Sequence, residues 1–213
     1  MKKGVLLLNG DAPPKDLVKP DVAGAVVFCC DGAASWAKEY GLPVHRLIGD
    51  MDSIHPHDLA YFKACADCEI MQLEPEKDQT DAHVAILQAA DMGIELLRIF
   101  GGRGGRLDHS LTNVLLLLLA KRQGLERTEM VDEYGTAFLA EPVVEIEGRA
   151  GQLVSLVSLD DSARVLQTQG LYYPLHNRSL PMGDSLFVSN YMTQERAKIH
   201  LTGRVLVILP RKN

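Results

Sequence analysis

Glu95-Leu96-Leu97-Arg98-Ile99-Phe100-Gly101-Gly102-Arg103-Gly104-Gly105-Arg106-Leu107-Asp108-His109 runs from a mostly apolar hexapeptide directly into a loop with four glycines in five residues. Ser110 to Gln123 follows as a strongly apolar stretch of helical length. A strand that opens into a glycine loop and then a helix predicts a β-α unit, because glycine lets the chain turn tightly from one element into the next. Moving toward the N-terminus, the same alternation recurs. Val5-Leu6-Leu7-Leu8 and Ala25-Val26-Val27-Phe28-Cys29-Cys30 are apolar throughout rather than alternating, as strands buried on both faces are. Each ends in a polar turn, Asn9-Gly10-Asp11 and Asp31-Gly32. Ala33 to Tyr40 reads as a helix stopped by Gly41-Leu42-Pro43, Arg46-Leu47-Ile48 as a strand, and His57 to Ala66 as a helix. Glu69 to Leu73 is a further strand, and Thr80 to Met92 a helix. This order predicts an open, mostly parallel sheet with helices on both faces.

The pattern changes after about Val131. Helical runs give way to short strands at Thr136–Leu139, Val143–Ile146, Leu153–Val157, Ala163–Leu166, Ala197–Leu201 and Arg204–Leu209, separated by turn residues such as Glu147-Gly148-Arg149 and Thr202-Gly203. Repeated short strands predict an all-β sandwich or jelly roll. The expected architecture is therefore α/β over residues 1–132, a nucleotide-binding domain, followed by a β-sandwich over 133–213, with the boundary near 132–135.

Bulk composition narrows the function. The 213 residues are 46% hydrophobic, and 28 acidic against 22 basic side chains leave a formal charge of −6. That balance argues against nucleic acid or an anionic membrane as the main partner. The apolar run after Met1-Lys2-Lys3 is cut off at Asn9, too short for a signal segment, and Val114 to Ala120 falls well short of the ~20 residues that span a bilayer. The expectation is a soluble, cytoplasmic protein. Of the four cysteines, Cys29 and Cys30 end a predicted buried strand, and Cys65-Ala66-Asp67-Cys68 forms a C-x-x-C. Adjacent cysteines fit poorly on one tetrahedral ion, so structural thiols are favoured over a zinc site, and no disulfide is implied.

Three acid-bearing clusters carry the chemistry: Gly49-Asp50-Met51-Asp52-Ser53, Lys77-Asp78-Gln79-Thr80-Asp81 and the Gly101–His109 loop. Carboxylates at this density repel one another unless a cation compensates them, and a hard divalent ion with phosphate oxygens does so. Alternate acids in an extended turn, Asp50 and Asp52, can both face one ion, or one can face the ion and the other a nucleophile. Arg103 and Arg106 add forked donors suited to phosphate, beside a glycine loop that is neither a Walker loop nor a dinucleotide fingerprint. Thr80, Asp78 and Asp81 also suit a helix N-cap, a structural role compatible with ion binding. His109 is either a general base or a cap, and Trp36 belongs to the core. Ligands in open parallel sheets bind beyond the carboxyl ends of the strands, which places Asn9, Asp31, Asp50, Asp52 and Arg103 on one rim.

These clusters, in this order, resemble the thiamine pyrophosphokinase family. The likeness includes Asn9-Gly10, Asp31-Gly32-Ala33 and Asn113, and continues through Gly170-Leu171-Tyr172-Tyr173-Pro174-Leu175, Ser189-Asn190 and Gly203–Ile208. The resemblance implies ATP-dependent, Mg²⁺-assisted transfer of diphosphate to thiamine, giving thiamine diphosphate and AMP, by a homodimer with shared active sites. It makes Asp50, Asp52, Asp81 and Asp108 the acidic catalytic residues, with Asp50, Asp52 and Asp81 toward the metal. Asn9, Arg103 and Arg106 then contact nucleotide, with Asp31 and Asp78 nearby, and Ser185, Ser189 and Asn190 meet thiamine. Phe187 and Tyr191 depart from the family pattern, which has glycine and an acidic residue there. The departures keep open another hydroxylated heterocycle as acceptor, and a non-catalytic nucleotide sensor is the alternative from a different class.

Overall fold

The computed structural model describes residues 1–211, so the final positions of the expected second domain, 212–213, lie outside the described residues. The chain divides into two compact units, Met1–Glu133 and Tyr134–Asn213. The first contains β1 (Lys3–Leu7), α1 (Lys15–Val22), β2 (Val26–Cys30), α2 (Ala33–Tyr40), β3 (Arg46–Gly49), α3 (Pro56–Ala64), β4 (Glu69–Gln72), α4 (Asp81–Asp91), β5 (Leu96–Phe100), α5 (Leu107–Arg122) and β6 (Arg127–Asp132). Its strands lie in the order β6-β5-β1-β2-β3-β4, and every pairing among them is parallel.

The two-residue period of a strand explains the layering. Val5, Leu7, Val27, Cys29 and Leu47 share one face of the sheet and pack with Val18 of α1, Trp36 and Ala37 of α2 and Phe62 of α3. Leu6, Phe28, Cys30 and Ile48 point the other way and are equally buried, on the side where Ala85, Ile86 and Ala89 of α4 contact β1, β2 and β3. With both faces covered, these strands need no polar alternation. Each fully buried Leu, Ile or Phe removed from water is worth roughly 1.5–3 kcal/mol, so the central strands dominate the stability of this unit.

The chain leaves β1 toward β2, β3 and β4, then returns through α4 to place β5 on the other side of β1. The order of connection reverses between β1 and β5, and a crevice opens beyond the carboxyl ends of two strands at such a point. One boundary differs from the sequence expectation in a way that bears on the site. Helix α5 begins at Leu107, not Ser110, because Arg106 adopts extended angles and its carbonyl accepts the first helical bond from the Ser110 amide at 3.0 Å. Asp108 and His109 therefore lie in the first turn of a helix.

The second unit contains β7 (Gly135–Leu139), β8 (Val143–Glu147), β9 (Leu153–Ser158), β10 (Arg164–Gln169), β11 (His176–Ser179), β12 (Asn190–Tyr191), β13 (Arg196–Thr202) and β14 (Val205–Pro210). Two antiparallel sheets form, β12-β9-β14-β7 and β11-β10-β13-β8. Burial alternates strictly along β8 and β13, and their inward residues Val144, Ile146, Ala197, Ile199 and Leu201 meet Val154, Leu156, Val205 and Val207 of the facing sheet. This is the expected sandwich.

Candidate active site

The crevice of the first unit is a cleft of about 820 Å³ lined by the ends of β1, β2 and β3, the start of α4 and the glycine loop. Its floor is built by backbone. The Leu8 amide donates to the Phe100 carbonyl (2.8 Å), Gly10 to Gly101 (2.9 Å) and Asp11 to Arg103 (2.6 Å), so the turns after β1 and β5 are laced together. A Cβ at Gly10 would stand 2.1 Å from the Arg103 carbonyl oxygen, and Gly101 has φ of +67°; only glycine fits either place. Helix α5 anchors the loop from behind, where the Asn113 amide donates to the Gly102 carbonyl at 2.8 Å and the Ser110 hydroxyl accepts from the Gly104 amide at 3.2 Å.

One wall is acidic. Asp31, Asp50 and Asp52 each offer a carboxylate oxygen, and these three atoms lie within 4.8 Å of one another. Left-handed backbone at Asp31 (φ +44°) and Met51 (φ +70°) turns the chain at the ends of β2 and β3, and the Asp52 amide donates back to Asp50 Oδ1 at 3.2 Å. Non-glycine residues in this conformation are sparse and cluster where a site is being shaped. Asp31 Oδ2 accepts from the Ser53 hydroxyl, while its Oδ1 is buried with no hydrogen-bond partner among the described residues. An orphaned, buried carboxylate oxygen facing two more carboxylates suits a hard, oxygen-seeking divalent cation.

Asp81 stands at the start of α4. Capping of that helix falls to Thr80, whose hydroxyl accepts from the His83 amide at 3.2 Å, which leaves the Asp81 carboxylate to face the cleft and ion-pair with Lys77 at 3.1 Å. Burial pushes the Asp31 and Asp81 carboxyls above the usual range; the Ser53 and Lys77 contacts oppose this, and the neighbouring carboxylates add to it. Asp50 shifts the other way, chiefly because it accepts the Asp52 amide, with Lys77 contributing.

The opposite lip is basic. Arg103 is oriented by Asp132 at the end of β6, at 3.0 Å. Arg106 grips Asp108 at 2.6 Å with both side chains mostly exposed, and this pairing, helped by the His109 amide, holds the Asp108 carboxyl down at about 2. Asp108 is thus paired with Arg106 and is not one of the three carboxylates, Asp31, Asp50 and Asp52, whose oxygens gather within 4.8 Å. Asn9, Arg103, Arg106, Asp108 and His109 all line the cleft. Asp78 is exposed and is not among the lining residues.

In the second unit, Ser185 and Ser189 are exposed. Asn190 is buried and its amide is already engaged: Oδ1 accepts from the Tyr173 and Tyr191 amides, and Nδ2 donates to the Tyr173 carbonyl at 2.9 Å. Its side chain fixes the tyrosine segment rather than offering free polar atoms. Phe187 lies in the sandwich core, 2% exposed, so this departure from the family pattern is spent on packing. Tyr191 instead stacks on Tyr172 with ring centroids 4.5 Å apart, and Tyr173 meets both rings edge-on. This aromatic group was not singled out as a site from sequence. The consecutive Tyr172-Tyr173, both about half exposed, was the available signal.

Two family models match the chain: "Thiamin pyrophosphokinase, catalytic domain" over residues 23–128, and "Thiamin pyrophosphokinase, vitamin B1 binding domain" over 143–206. The thiamine pyrophosphokinase of Bacillus subtilis (strain 168) is 25% identical over 203 residues, which is 92% of this chain and 94% of that protein. Thiamine pyrophosphokinase 1 of Oryza sativa subsp. japonica is 27% identical over 162 residues, 71% of this chain and 60% of its own length. Among solved structures, the Bacillus subtilis thiamine pyrophosphokinase superposes with a TM-score of 0.87 at 23% identity, covering 100% of both chains. The yeast thiamin pyrophosphokinase gives 0.82 at 16% identity over 98% of this chain and 86% of that one. At these identities the structural likeness speaks to the fold.

Proposed function

Because the chain belongs to the thiamin pyrophosphokinase family, we propose that it transfers a diphosphate group from ATP to thiamine, giving thiamine diphosphate and AMP. The observation that carries this is the cleft at the switch point, which gathers acidic and basic side chains around a glycine-rich turn. Transfer of this kind is mostly positioning and charge neutralisation. Asn9 and the glycine-loop amides suit the nucleotide, and Arg103 and Arg106 suit its phosphates. Asp132 and Asp108 set the direction of those two guanidinium forks.

Asp31, Asp50 and Asp52, with Asp81 beside them, fit Mg²⁺ by donor type and by the unpartnered Asp31 oxygen; bound there, the ion supplies neutralisation of phosphate charge. In the transfer itself the acceptor hydroxyl oxygen forms a bond to the β-phosphorus of ATP, the bond from that phosphorus to the α-β bridging oxygen breaks, and AMP leaves. The hydroxyl proton passes to a cleft carboxylate. Asp81, which faces the cleft and is not one of the three gathered ion-holding carboxylates, suits that role.

The second unit matches the vitamin B1 binding model, and its Tyr172, Tyr173 and Tyr191 rings offer aromatic surface to a flat, cationic heterocycle. Ser185 and Ser189 hydroxyls are available to its polar atoms, while Asn190 acts through the tyrosine segment it holds. With Phe187 withdrawn into the core, thiamine remains the acceptor best supported. The family resemblance further supports a cytoplasmic homodimer with shared sites, which sedimentation checks: a purely monomeric protein at working concentration removes that arrangement.

Incubation with ATP, Mg²⁺ and thiamine is expected to yield AMP and thiamine diphosphate in equal amounts. Release of ADP would exclude diphosphate transfer, and nucleotide binding without any turnover would turn the assignment to a sensor.

A further inference from the structure

The acidic wall holds a cation of its own. The Lys77 ammonium lies 3.1 Å from Asp81 Oδ1 and 3.6 Å from Asp50 Oδ2, with its side chain 21% exposed. Both contacts are ion pairs, and the longer one to Asp50 exceeds ordinary hydrogen-bond length. Lys77 is therefore held by charge, on a flexible stem that can swing away. Asp50 belongs to two groups at once. One of its carboxylate oxygens joins those of Asp31 and Asp52 within 4.8 Å, and its Oδ2 faces Lys77. A divalent ion seated on the trio and the Lys77 ammonium would share the Asp50 carboxylate as two like charges close together, and each weakens the hold of the other.

From this sharing we infer that Lys77 is the resident counter-ion of the carboxylate wall, a positioning residue that competes with the divalent cation for Asp50 and keeps the empty site ordered but weak for free metal. Without Lys77, Asp31, Asp50, Asp52 and Asp81 would stand as four mutually repelling carboxylates in one wall. With it, Asp50 and Asp81 are held while Asp31 and Asp52 stay open. The inference rests on the nucleotide reading of the cleft for its purpose: phosphate oxygens arriving with the metal give the displaced ammonium a new partner, so binding favours the metal–nucleotide pair over metal alone.

Mn²⁺ binding to the nucleotide-free protein, followed by electron paramagnetic resonance, tests it. Lys77→Met and Lys77→Gln are each expected to bind Mn²⁺ tighter by on the order of ten-fold, since a like charge a few ångströms from the ion has gone. Lys77→Arg, which keeps the charge, stays within about two-fold of wild type. Equal or weaker Mn²⁺ binding in the neutral variants overturns the competition. Thermal unfolding gives a second arm: in chelator the neutral variants melt below wild type, and saturating Mn²⁺ raises their melting temperature by more than it raises that of wild type. Identical shifts in all three proteins would also overturn it. No substrate is present in either measurement, so failure here is separate from failure of the proposed reaction.

Discussion

Asp52 and Asp31 differ in what their loss should do, although both belong to the same trio. Asp52 is an exposed donor whose carboxylate makes no structural contact beyond the turn, so Asp52→Asn is expected to leave the fold intact and to lower turnover by on the order of 10²-fold or more. Circular dichroism beside the coupled AMP assay checks both halves. Asp31 carries a cost: it is 8% exposed, in a left-handed conformation, with one oxygen unpartnered. Asp31→Asn keeps an acceptor for Ser53 and removes the buried charge, so in chelator it should melt a few degrees above wild type while losing Mn²⁺ binding, a stability gain made at the expense of function. A melting temperature at or below the wild-type value would contradict that account. Much of this wall was legible in the sequence because Asp31, Asp50 and Asp52 each follow a short apolar strand. The roles within it were not. Thr80 and Asp81 are equally good cap residues by type, and only the structure shows the hydroxyl capping and the carboxylate facing the cleft. Asn190 was expected to meet thiamine, and the structure shows its amide engaged by Tyr173 and Tyr191 instead.

The elements that were missed, α1, β6, β11 and the two-residue β12, lack a readable apolar pattern, each for its own reason. Helix α1 contains Pro20 and follows Pro13-Pro14, a composition that argues for loop; it forms because Val18 has a fully buried place against the sheet, and tertiary packing outweighs propensity in short helices. Strand β6 escaped because Arg127, Glu129 and Asp132 interrupt its apolar pattern, although Glu129 is paired with Arg98 and Arg127. Strand β11 is exposed at every position and has no alternation to detect. The turn after β1 is the element-scale weak point. Gly10→Ala would force a Cβ to 2.1 Å from the Arg103 carbonyl oxygen, so either the β1 turn or the glycine loop must move. The expected cost is about 1–3 kcal/mol in stability, together with weakened ATP binding. Urea unfolding and nucleotide titration measure the two, and a variant of wild-type stability would mean that the turns are less tightly joined than described.

At the scale of the whole molecule, acid stability follows from carboxylates outside the cleft. Asp58 is held below its ordinary value of 3.8, first by the Lys38 ammonium and then by the Ser35 hydroxyl, which join α2 to α3. Asp160 is lowered by the Arg204 amide, then by Ser162. A depressed carboxyl contributes stability that is present above its unfolded value and lost as pH falls through its folded one, so these groups cost the protein stability below about pH 4. Asp31 and Asp81, shifted upward, run oppositely: their contribution is greatest in acid and is lost as pH rises through their raised values. Melting curves in chelator from pH 6 to 3 should therefore fall on the acid side, and Asp58→Asn should flatten that fall; an unchanged slope would remove the Lys38 pairing as its source. The two-unit division was legible as a change from mixed to all-strand periodicity, since buried parallel strands and one-sided antiparallel strands are written differently. A last consequence concerns assembly. The floor of the cleft is made by residues about ninety positions apart, Gly10 against Gly101 and Asp11 against Arg103, and these meet only once β5 has paired with β1 at the centre of the sheet. Such distant closure is slow and late, so no fragment ending before β5 can hold nucleotide, and the first appearance of ATP affinity during refolding would time the completion of the sheet itself.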